Sequence, residues 1–383
     1  GFIDIETGKF LDRLEHCARK TSKIFAFVLD ASARADDSTK VDAAVDYRST
    51  GDGWSVDARF VQFDWQDIVE EAGSGLFPVA LLRNAVAYLT IFLDGTVWRY
   101  LKTSKLYFGF AVYPLLLMIA FAAVAVFVAR QAGTLLGATG AGYGLVVTVL
   151  SLAIWLLLCR WPGNYFYLPL SLSNWGFSRK MVVRDASIAR RIEQFSSDIS
   201  REVSARDYDE VLFCCHSFGS LWAICALSQA LEKKPDLLAG RNVTVLALGS
   251  SHLKVTLCGR GAWVTPCLQQ VVDDPNVFWH EFQSKDDVVA FYKADPFEPI
   301  GVRMDKKRYT VDRVRFKNGL KPQRYKNIKR SFYRVHTQYT LYWDKPVGWD
   351  IYLRLFGPYS SRELADKPNL HKQLQVKKKE VSA

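Results

Sequence analysis

Two long stretches without a charged residue constrain the possible fold more than any other feature of this sequence. The first covers residues 106–129, and the second follows the glycine-rich linker 131–144 and ends at Cys159. A helix of 24 residues, rising about 1.5 Å per residue, crosses a hydrocarbon core about 30 Å thick. Soluble helices rarely stay apolar on every face over such lengths. We therefore predict a transmembrane hairpin over residues 106–160, with two buried core helices as the alternative.

The charges around this hairpin indicate its orientation. Basic residues flank its two outer ends: Arg99, Lys102, Lys105, Arg160, Arg179 and Lys180. The connecting turn contains only Arg130. Because loops rich in Lys and Arg stay on the cytoplasmic side of a membrane, both large segments outside the hairpin are predicted to be cytoplasmic.

The segment that precedes the hairpin is apolar but not free of charge. Residues 76–101 are interrupted by Arg83, Asp94 and Arg99 and end close to Trp98. Tryptophan prefers the boundary between lipid and water. This composition is typical of a helix that lies at a bilayer interface.

The remaining sequence has the pattern of a mixed α/β fold. An amphipathic helix is predicted over 7–22 and strands over 23–29 and 54–63, whereas helices and strands alternate from 185–206 onwards. Strands separated by helices favour a parallel sheet covered on both faces. The predicted organisation is an N-terminal part of the α/β fold (1–70), an interfacial helical segment (71–105), the hairpin (106–160), the main α/β core (161–350) and a C-terminal tail (351–383).

Composition argues against several classes of function. The net charge is +11 and the pI is about 9.2, but no nucleic-acid-reading motif accompanies this charge, and anionic lipid is the simpler partner. The seven cysteines are odd in number and contain no C-x-x-C pair, so neither a disulfide framework nor a zinc knuckle is indicated. No P-loop, dinucleotide-binding glycine run or H-E-x-x-H motif is present. We expect no cofactor, no metal and no nucleic acid.

One run in the α/β part has the pattern of a nucleophile on a sharp turn. A short apolar strand over 210–215 leads into the run CHSFG around Ser217, and an apolar helix follows directly. A strained strand-to-helix turn needs small residues on both sides, so that the two elements can approach. Cys215 and Gly219 meet this requirement, and Ser217 is the predicted nucleophile.

This run resembles the G-x-S-x-G elbow of the α/β-hydrolase superfamily, with Cys215 in place of the first glycine and His216 directly before the serine. The resemblance extends over residues 185–340 and implies a mostly parallel sheet flanked by helices. More loosely, the whole chain resembles bacterial membrane proteins in which a transmembrane hairpin is inserted in a hydrolase fold. This second resemblance implies a bacterial inner membrane protein with two spans and a cytoplasmic hydrolase domain.

A serine hydroxyl needs a base to accept its proton and a carboxylate to orient that base. The superfamily supplies them in the chain order serine, acid, histidine. Asp286 and Asp287 follow a predicted strand over 277–283; we prefer Asp287, although spacing alone does not separate the two, and solvated turn carboxylates are the alternative. His336 ends an apolar run over 331–336, which we predict to be a strand. These residues complete a predicted catalytic triad.

Acyl transfer also requires hydrogen-bond donors for the oxyanion. The resemblance implies the backbone N–H of Phe218, the residue after the nucleophile, as one donor. The chain opens with Gly1-Phe2-Ile3-Asp4, which is similar to the second oxyanion loop of the family if the preceding strand is missing. Phe2 is the predicted second donor, and an unstructured N-terminal segment is an equal alternative.

The predicted function is therefore a membrane-anchored serine hydrolase, lipase- or esterase-like, that forms an acyl-enzyme on Ser217. Its partners would be the lipid bilayer and a small ester, thioester or lipid substrate. The alternative is a catalytically silent membrane scaffold, or a lipid-binding protein, on the same fold. The basic segment 303–330 is predicted to be either a solvated loop or a clamp on anionic headgroups.

Overall fold

The computed structural model describes residues 7–35, 43–137 and 139–374. These residues form two compact units, of which the second is residues 66–185 and the first contains the chain on either side of it. The strands are β1 (Val28–Ala35), β2 (Ala43–Gly51), β3 (Trp54–Gln62), β4 (Val211–His216), β5 (Val243–Leu248), β6 (Val277–Ser284) and β7 (Tyr309–Val314).

The helices follow in chain order. They are α1 (Thr7–Phe25), α2 (Gln66–Gly73), α3 (Phe77–Leu93), α4 (Thr96–Thr103), α5 (Lys105–Leu135), α6 (Gly140–Tyr165), α7 (Leu168–Val183), α8 (Ala186–Ala205), α9 (Gly219–Lys233), α10 (His252–Thr256), α11 (Val264–Asp273), α12 (Phe316–Gly319), α13 (Pro322–Ile328), α14 (Phe332–Thr337), α15 (Ile351–Phe356) and α16 (Ser361–Asp366). Short 3-10 helices cover Gly259–Gly261, Glu298–Ile300, Lys306–Arg308, Gln338–Thr340 and Leu370–Lys372.

A four-stranded parallel sheet forms the centre of the first unit. Its strands β4, β5, β6 and β7 are neighbours in chain order, and each adjacent pair is parallel. Every residue of β5 and β6 is buried, as expected for strands covered on both faces. The prediction of a mixed α/β chain with a parallel sheet is confirmed.

The two faces of this sheet are covered by different elements. On one face, α9 packs against β4 and α11 against β6. On the other face, Leu246, Leu248 and Phe282 join a core that includes Leu14 from α1 and Leu353 from α15. Burying each large apolar side chain of this kind stabilises the fold by about 1.5–3 kcal/mol. Because the strands end at one edge, the residues that follow them meet there.

The strands before the hairpin do not join this sheet. They form a separate three-stranded antiparallel sheet in the order β1-β2-β3. The predicted strand over 23–29 is wrong at its start, because α1 continues to Phe25. The helical spacing of buried Leu14, Ala18 and Phe25 extends through that segment, and Ala26 ends the helix with a φ of 57°. The predicted strand over 54–63 corresponds to β3.

The second unit contains two helices, α5 and α6, that are long and apolar enough to cross a membrane. They pack against each other as an antiparallel pair. The indole Nε1 of Trp155 donates to the Met118 carbonyl over 3.1 Å, and Gly133 faces Tyr143 near the connecting turn. The chain thus has the features of a membrane protein. Helices α2 and α3, on the N-terminal side, meet at an angle of 107°.

The basic segment 303–330 is folded rather than a solvated loop. It contains β7, α12 and α13, and two of its arginines have internal partners. Arg308 donates to the carbonyls of Val272 and Asp274 over 2.7 and 2.6 Å. Arg324 pairs with Asp344 over 3.0 Å. Lys306 and Lys307 are exposed, and the headgroup clamp stays a prediction.

Candidate active site

Ser217 lies on a sharp turn between β4 and α9. Its φ is 53°, a left-handed conformation that is uncommon for a residue with a side chain. Its backbone is fixed by several hydrogen bonds: Ser217 N–H donates to the Leu248 carbonyl over 3.1 Å, and its carbonyl accepts from Ser251 N–H over 3.2 Å and from the Ser220 hydroxyl over 2.8 Å. Strain of this kind persists where surrounding contacts over-determine it, and it is frequent at functional sites.

Small residues surround this turn, as the sequence predicted. A Cβ atom built on Gly219 would lie 3.9 Å from the Cβ of Cys215 and 3.6 Å from the ring of Trp65. A methyl group at position 219 would therefore make ordinary van der Waals contacts. Cys215 itself is buried, with 4% of its surface exposed. Strand β4 and helix α9 are in contact beside Ser217.

His336 and Asp287 form a buried hydrogen-bonded pair. Nδ1 of His336 lies 2.8 Å from Oδ2 of Asp287, and the two residues are 6% and 0% exposed. A carboxylate accepts, so the imidazole carries its proton on Nδ1. The other carboxylate oxygen accepts from the backbone N–H of Val289 over 2.9 Å. The imidazole is held in one tautomer, with Nε2 left as an acceptor.

The neighbouring acid has different partners. Asp286 accepts from the Tyr325 hydroxyl over 2.7 Å and from the Phe316 N–H over 3.3 Å. Burial, together with this bond to Asp286, raises the pKa of Tyr325 to about 12. Consecutive residues point in different directions, and of the two acids only Asp287 touches His336 in the described part of the chain.

The secondary structure predicted around His336 is wrong. The run 331–336 is not a strand: Ser331 caps α14, and its hydroxyl accepts from the N–H of Arg334 over 3.3 Å. His336 lies in the last turn of this short helix. A serine at the N-cap indicates the start of a helix. The apolar residues from Phe332 to Val335 favoured a strand instead.

His216, the residue before Ser217, contacts His336 directly. The two rings lie 4.6 Å apart between centroids, and Nε2 of His216 donates to the His336 carbonyl over 2.9 Å. Burial, reinforced by the nearby imidazole of His336, lowers the pKa of His216 to about 3, so it is neutral at physiological pH. The elbow and the His336–Asp287 pair are therefore adjacent.

The Ser217 hydroxyl has a partner that sequence reasoning missed. Its Oγ lies 3.1 Å from the Oγ of Ser251, and no hydrogen bond joins it to His336 among the described residues. Nε2 of His336 is buried and bonds to none of the residues that the structure describes. The signal for Ser251 was its position just beyond β5, because parallel neighbours end at the same edge of a sheet.

A polar network continues behind the elbow. The Ser250 hydroxyl donates to Ser220 over 2.8 Å and lies 2.6 Å from Nδ1 of His252. Nε2 of His252 donates to the Pro296 carbonyl over 2.8 Å. Burial lowers the pKa of His252 to about 4. These contacts brace the loop after β5 against the turn that carries Ser217.

Of the two predicted oxyanion donors, Phe218 lies among the described residues. Phe218 is the N-cap of α9, so its amide lies at the positive end of the helix dipole, where negative charge is stabilised. Phe2 lies outside the described residues. A buried lysine also approaches this region: Nζ of Lys254 lies 5.2 Å from the centroid of the Phe218 ring.

No protein-family model, no curated protein sequence and no solved structure matches the chain. Within the described residues, no group of three or more His, Cys, Asp or Glu side chains is arranged to hold a metal ion.

Proposed function

We propose that this protein is a membrane-anchored serine hydrolase of the α/β-hydrolase type, which cleaves an ester or thioester. Ser217 is the nucleophile, His336 is the general base and Asp287 orients the imidazole. The observation that carries this proposal is the buried His336–Asp287 pair, 2.8 Å between Nδ1 and Oδ2, beside a serine with a φ of 53°. The chain order serine, acid, histidine supports it further.

Each side chain has a defined role in the proposed reaction. Oγ of Ser217 exchanges its bond to Ser251 for one to Nε2 of His336, and then attacks the carbonyl carbon while Nε2 accepts its proton. Asp287 stabilises the imidazolium that results. The oxyanion forms at the amino end of α9, near the N–H of Phe218. Collapse expels the alcohol or thiol with the proton from Nε2, and water then releases the acyl group by the reverse sequence.

The sheet supports the same proposal. Ser217 follows β4, and Asp287 follows β6, the next-but-one strand in both chain order and space. Polar groups at the carboxyl ends of parallel strands are common in α/β enzymes. A lipid-derived substrate fits a protein with two helices apolar enough to span a membrane.

One observation favours the scaffold alternative. The Ser217 hydroxyl bonds to Ser251 over 3.1 Å instead of to His336. A scaffold would keep this arrangement permanently, whereas an enzyme must change it for every turnover. Catalytic hydrogen bonds often tighten only when substrate binds, so the two proposals differ in activity rather than in resting geometry.

Pre-steady-state hydrolysis separates the enzyme from the scaffold. The purified full-length chain, mixed with short-chain p-nitrophenyl esters, should release nitrophenol in a burst of up to one equivalent per active site. Ser217→Ala should remove the burst. Ser251→Ala, the matched control at the neighbouring hydroxyl, should keep it. Absence of a burst and of steady turnover on both oxygen and thioester substrates would favour the scaffold.

We further propose that both segments outside the α5–α6 pair are cytoplasmic in a bacterial inner membrane, because basic residues flank its outer ends. A reporter fused after Ala383 should be active when it requires the cytoplasm and inactive when it requires export. The opposite pattern contradicts this topology. The test is independent of the catalytic proposal.

A further inference from the structure

Helix α3 exposes a row of apolar side chains along one face. The row consists of Val79, Leu82, Val86, Leu89 and Leu93, which are 59%, 68%, 57%, 38% and 87% exposed. Their alternating spacing of three and four residues keeps them on one stripe of a helix. The opposite face, with Ala80, Asn84 and Tyr88, is buried and packs on α7. Contiguous exposed apolar surface of this kind marks an interaction site.

The Tyr88 hydroxyl holds the C-terminal half of α3 against α5. It donates to the Ala111 carbonyl over 2.7 Å and accepts from the Leu115 N–H over 3.3 Å. These are the carbonyl and the amide of residues four apart, which pair in a regular α-helix, and Pro114 lies between them. Tyr88 thus bonds to the backbone of α5 at the level of residues 111–115.

Arg160 fixes the other end of α3 at a similar level. Its guanidinium lies 5.2 Å from the ring centroid of Phe77, the first residue of α3. Trp155 is level with Met118, as their hydrogen bond shows. Because α5 and α6 are antiparallel, Arg160, five residues beyond Trp155, is level with Tyr113 of α5. Phe77 and Tyr88 of α3 therefore contact the α5–α6 pair at one level, so the part of the helix between them crosses the pair instead of running along it.

On α6, that level is the end of the uncharged run. Arg160 is the first charged residue after the uncharged run that ends at Cys159. The one charged side chain within α3, Arg83, donates to the carbonyls of Ala72 and Ser74 over 2.9 and 3.1 Å. Its charge is thereby held at the C-terminal end of α2, where a helix dipole favours cations. The half-buried Thr90 also lies on this side, and its hydroxyl donates to the Ala87 carbonyl over 2.7 Å. The other exposed side chains of α3 are apolar.

We propose that α3 lies in the plane of the bilayer, with the row from Val79 to Leu93 buried among lipid acyl chains. A helix of this type sinks about 5–10 Å into the boundary between headgroups and acyl chains. When α5 and α6 span the membrane, the level of Tyr88 and Arg160 brings the row to that boundary. The occupant is the lipid, because Tyr88 and Phe77 tie α3 to α5 and α6, the two helices long and apolar enough to cross a membrane. The inference does not depend on the hydrolase chemistry.

Spin-label accessibility tests this placement in full-length protein reconstituted into lipid nanodiscs. Val86→Cys and Leu93→Cys, each carrying a nitroxide, should collide more with oxygen than with a water-soluble nickel chelate. Leu116→Cys, exposed on α5, is the standard for a lipid-facing site. Ser197→Cys, exposed on α8, is the standard for water. Labelled wild-type protein corrects for the native cysteines.

Each outcome decides the proposal. Accessibility at positions 86 and 93 that matches Leu116→Cys supports burial among acyl chains, and the use of two sites guards against a misfolded variant. Nickel accessibility equal to that of Ser197→Cys at both positions would place α3 in water and overturn the proposal. Dipolar broadening between copies in discs that contain two chains would show that a second copy covers the row, which also overturns it.

Discussion

At the scale of single residues, the candidate site contains two adjacent carboxylates that have different partners. Asp287 faces His336, whereas Asp286 faces Tyr325 and a backbone amide. An imidazole needs one acceptor at Nδ1 to keep the tautomer that leaves Nε2 basic. Only one acid can serve at that position, and the side-chain directions differ although the sequence positions are consecutive.

Replacing each acid by Asn should separate their roles. An amide at position 287 cannot stabilise the imidazolium and can turn its N–H₂ towards Nδ1, so Asp287→Asn should lower kcat/KM for ester hydrolysis by about 10³–10⁴-fold. Asp286→Asn, the matched control, keeps an acceptor for Tyr325 and should cost less than about tenfold. Equal losses of kcat/KM, or a greater loss for Asp286→Asn, would show that Asp287 is not the residue that orients the imidazole.

Lys254 carries a pH dependence that can be measured. Its side chain is 3% exposed, and burial lowers its pKa to about 7, against about 10.4 for an unfolded lysine. Between these values the unfolded state binds more protons, so this residue makes the protein more stable as pH rises through that window. Below pH 7 both states are protonated and the full penalty is present.

Lys254→Met should therefore stabilise the protein most at low pH. The difference in free energy of unfolding between variant and wild type should shrink by about 1.4 kcal/mol per pH unit from about pH 7 to pH 10. Thermal unfolding of both proteins in one detergent at pH 6.5, 8 and 10 measures it. A difference in Tm that stays constant with pH would contradict the buried-charge explanation.

Part of the candidate site can be named from the sequence. Ser217, Asp287 and His336 were predicted from their order and from the strands before the first two, which are local signals. The choice between Asp286 and Asp287 was left open because it depends on which way the loop turns. Ser251 was missed, since its contact with Ser217 requires β4 and β5 to be neighbours, a fact that spacing along the chain does not contain.

At the scale of elements, the turn between β4 and α9 determines the site. It holds Ser217 in a left-handed conformation and brings the helix against Cys215. The neighbouring element α14 carries His336 and was predicted as a strand. Six residues are too few for periodicity to distinguish strand from helix, so the capping serine was the better signal. The two elements meet through His216.

Substitutions at Cys215 test how tightly this turn is packed. Cys215→Ala is close in size and should retain the fold, with a loss of about 1 kcal/mol. Cys215→Leu forces extra atoms between β4 and α9 and should destabilise by about 1–3 kcal/mol. Thermal unfolding compares the two variants. A leucine variant as stable as the alanine variant would show that the turn has spare room.

At the scale of the whole molecule, each of the two units follows from a different sequence signal. The parallel sheet was predictable because alternating strands and helices are a local pattern. The helices α5 and α6 were predictable from charge-free length alone. The antiparallel sheet of β1, β2 and β3 was not, because strand pairing depends on contacts that periodicity does not encode. The folding of 303–330 was missed because its charges dominated the pattern.

Covalent labelling with a fluorophosphonate tests the central claim most directly. Wild-type protein should take up one probe per chain, and peptide mass spectrometry should locate it on Ser217. Ser217→Ala should abolish labelling, and His336→Ala should slow it almost as much, because triad residues act as a unit. Ser251→Ala should still be labelled. Wild-type protein that takes no probe, or a label that persists in Ser217→Ala, would contradict the account.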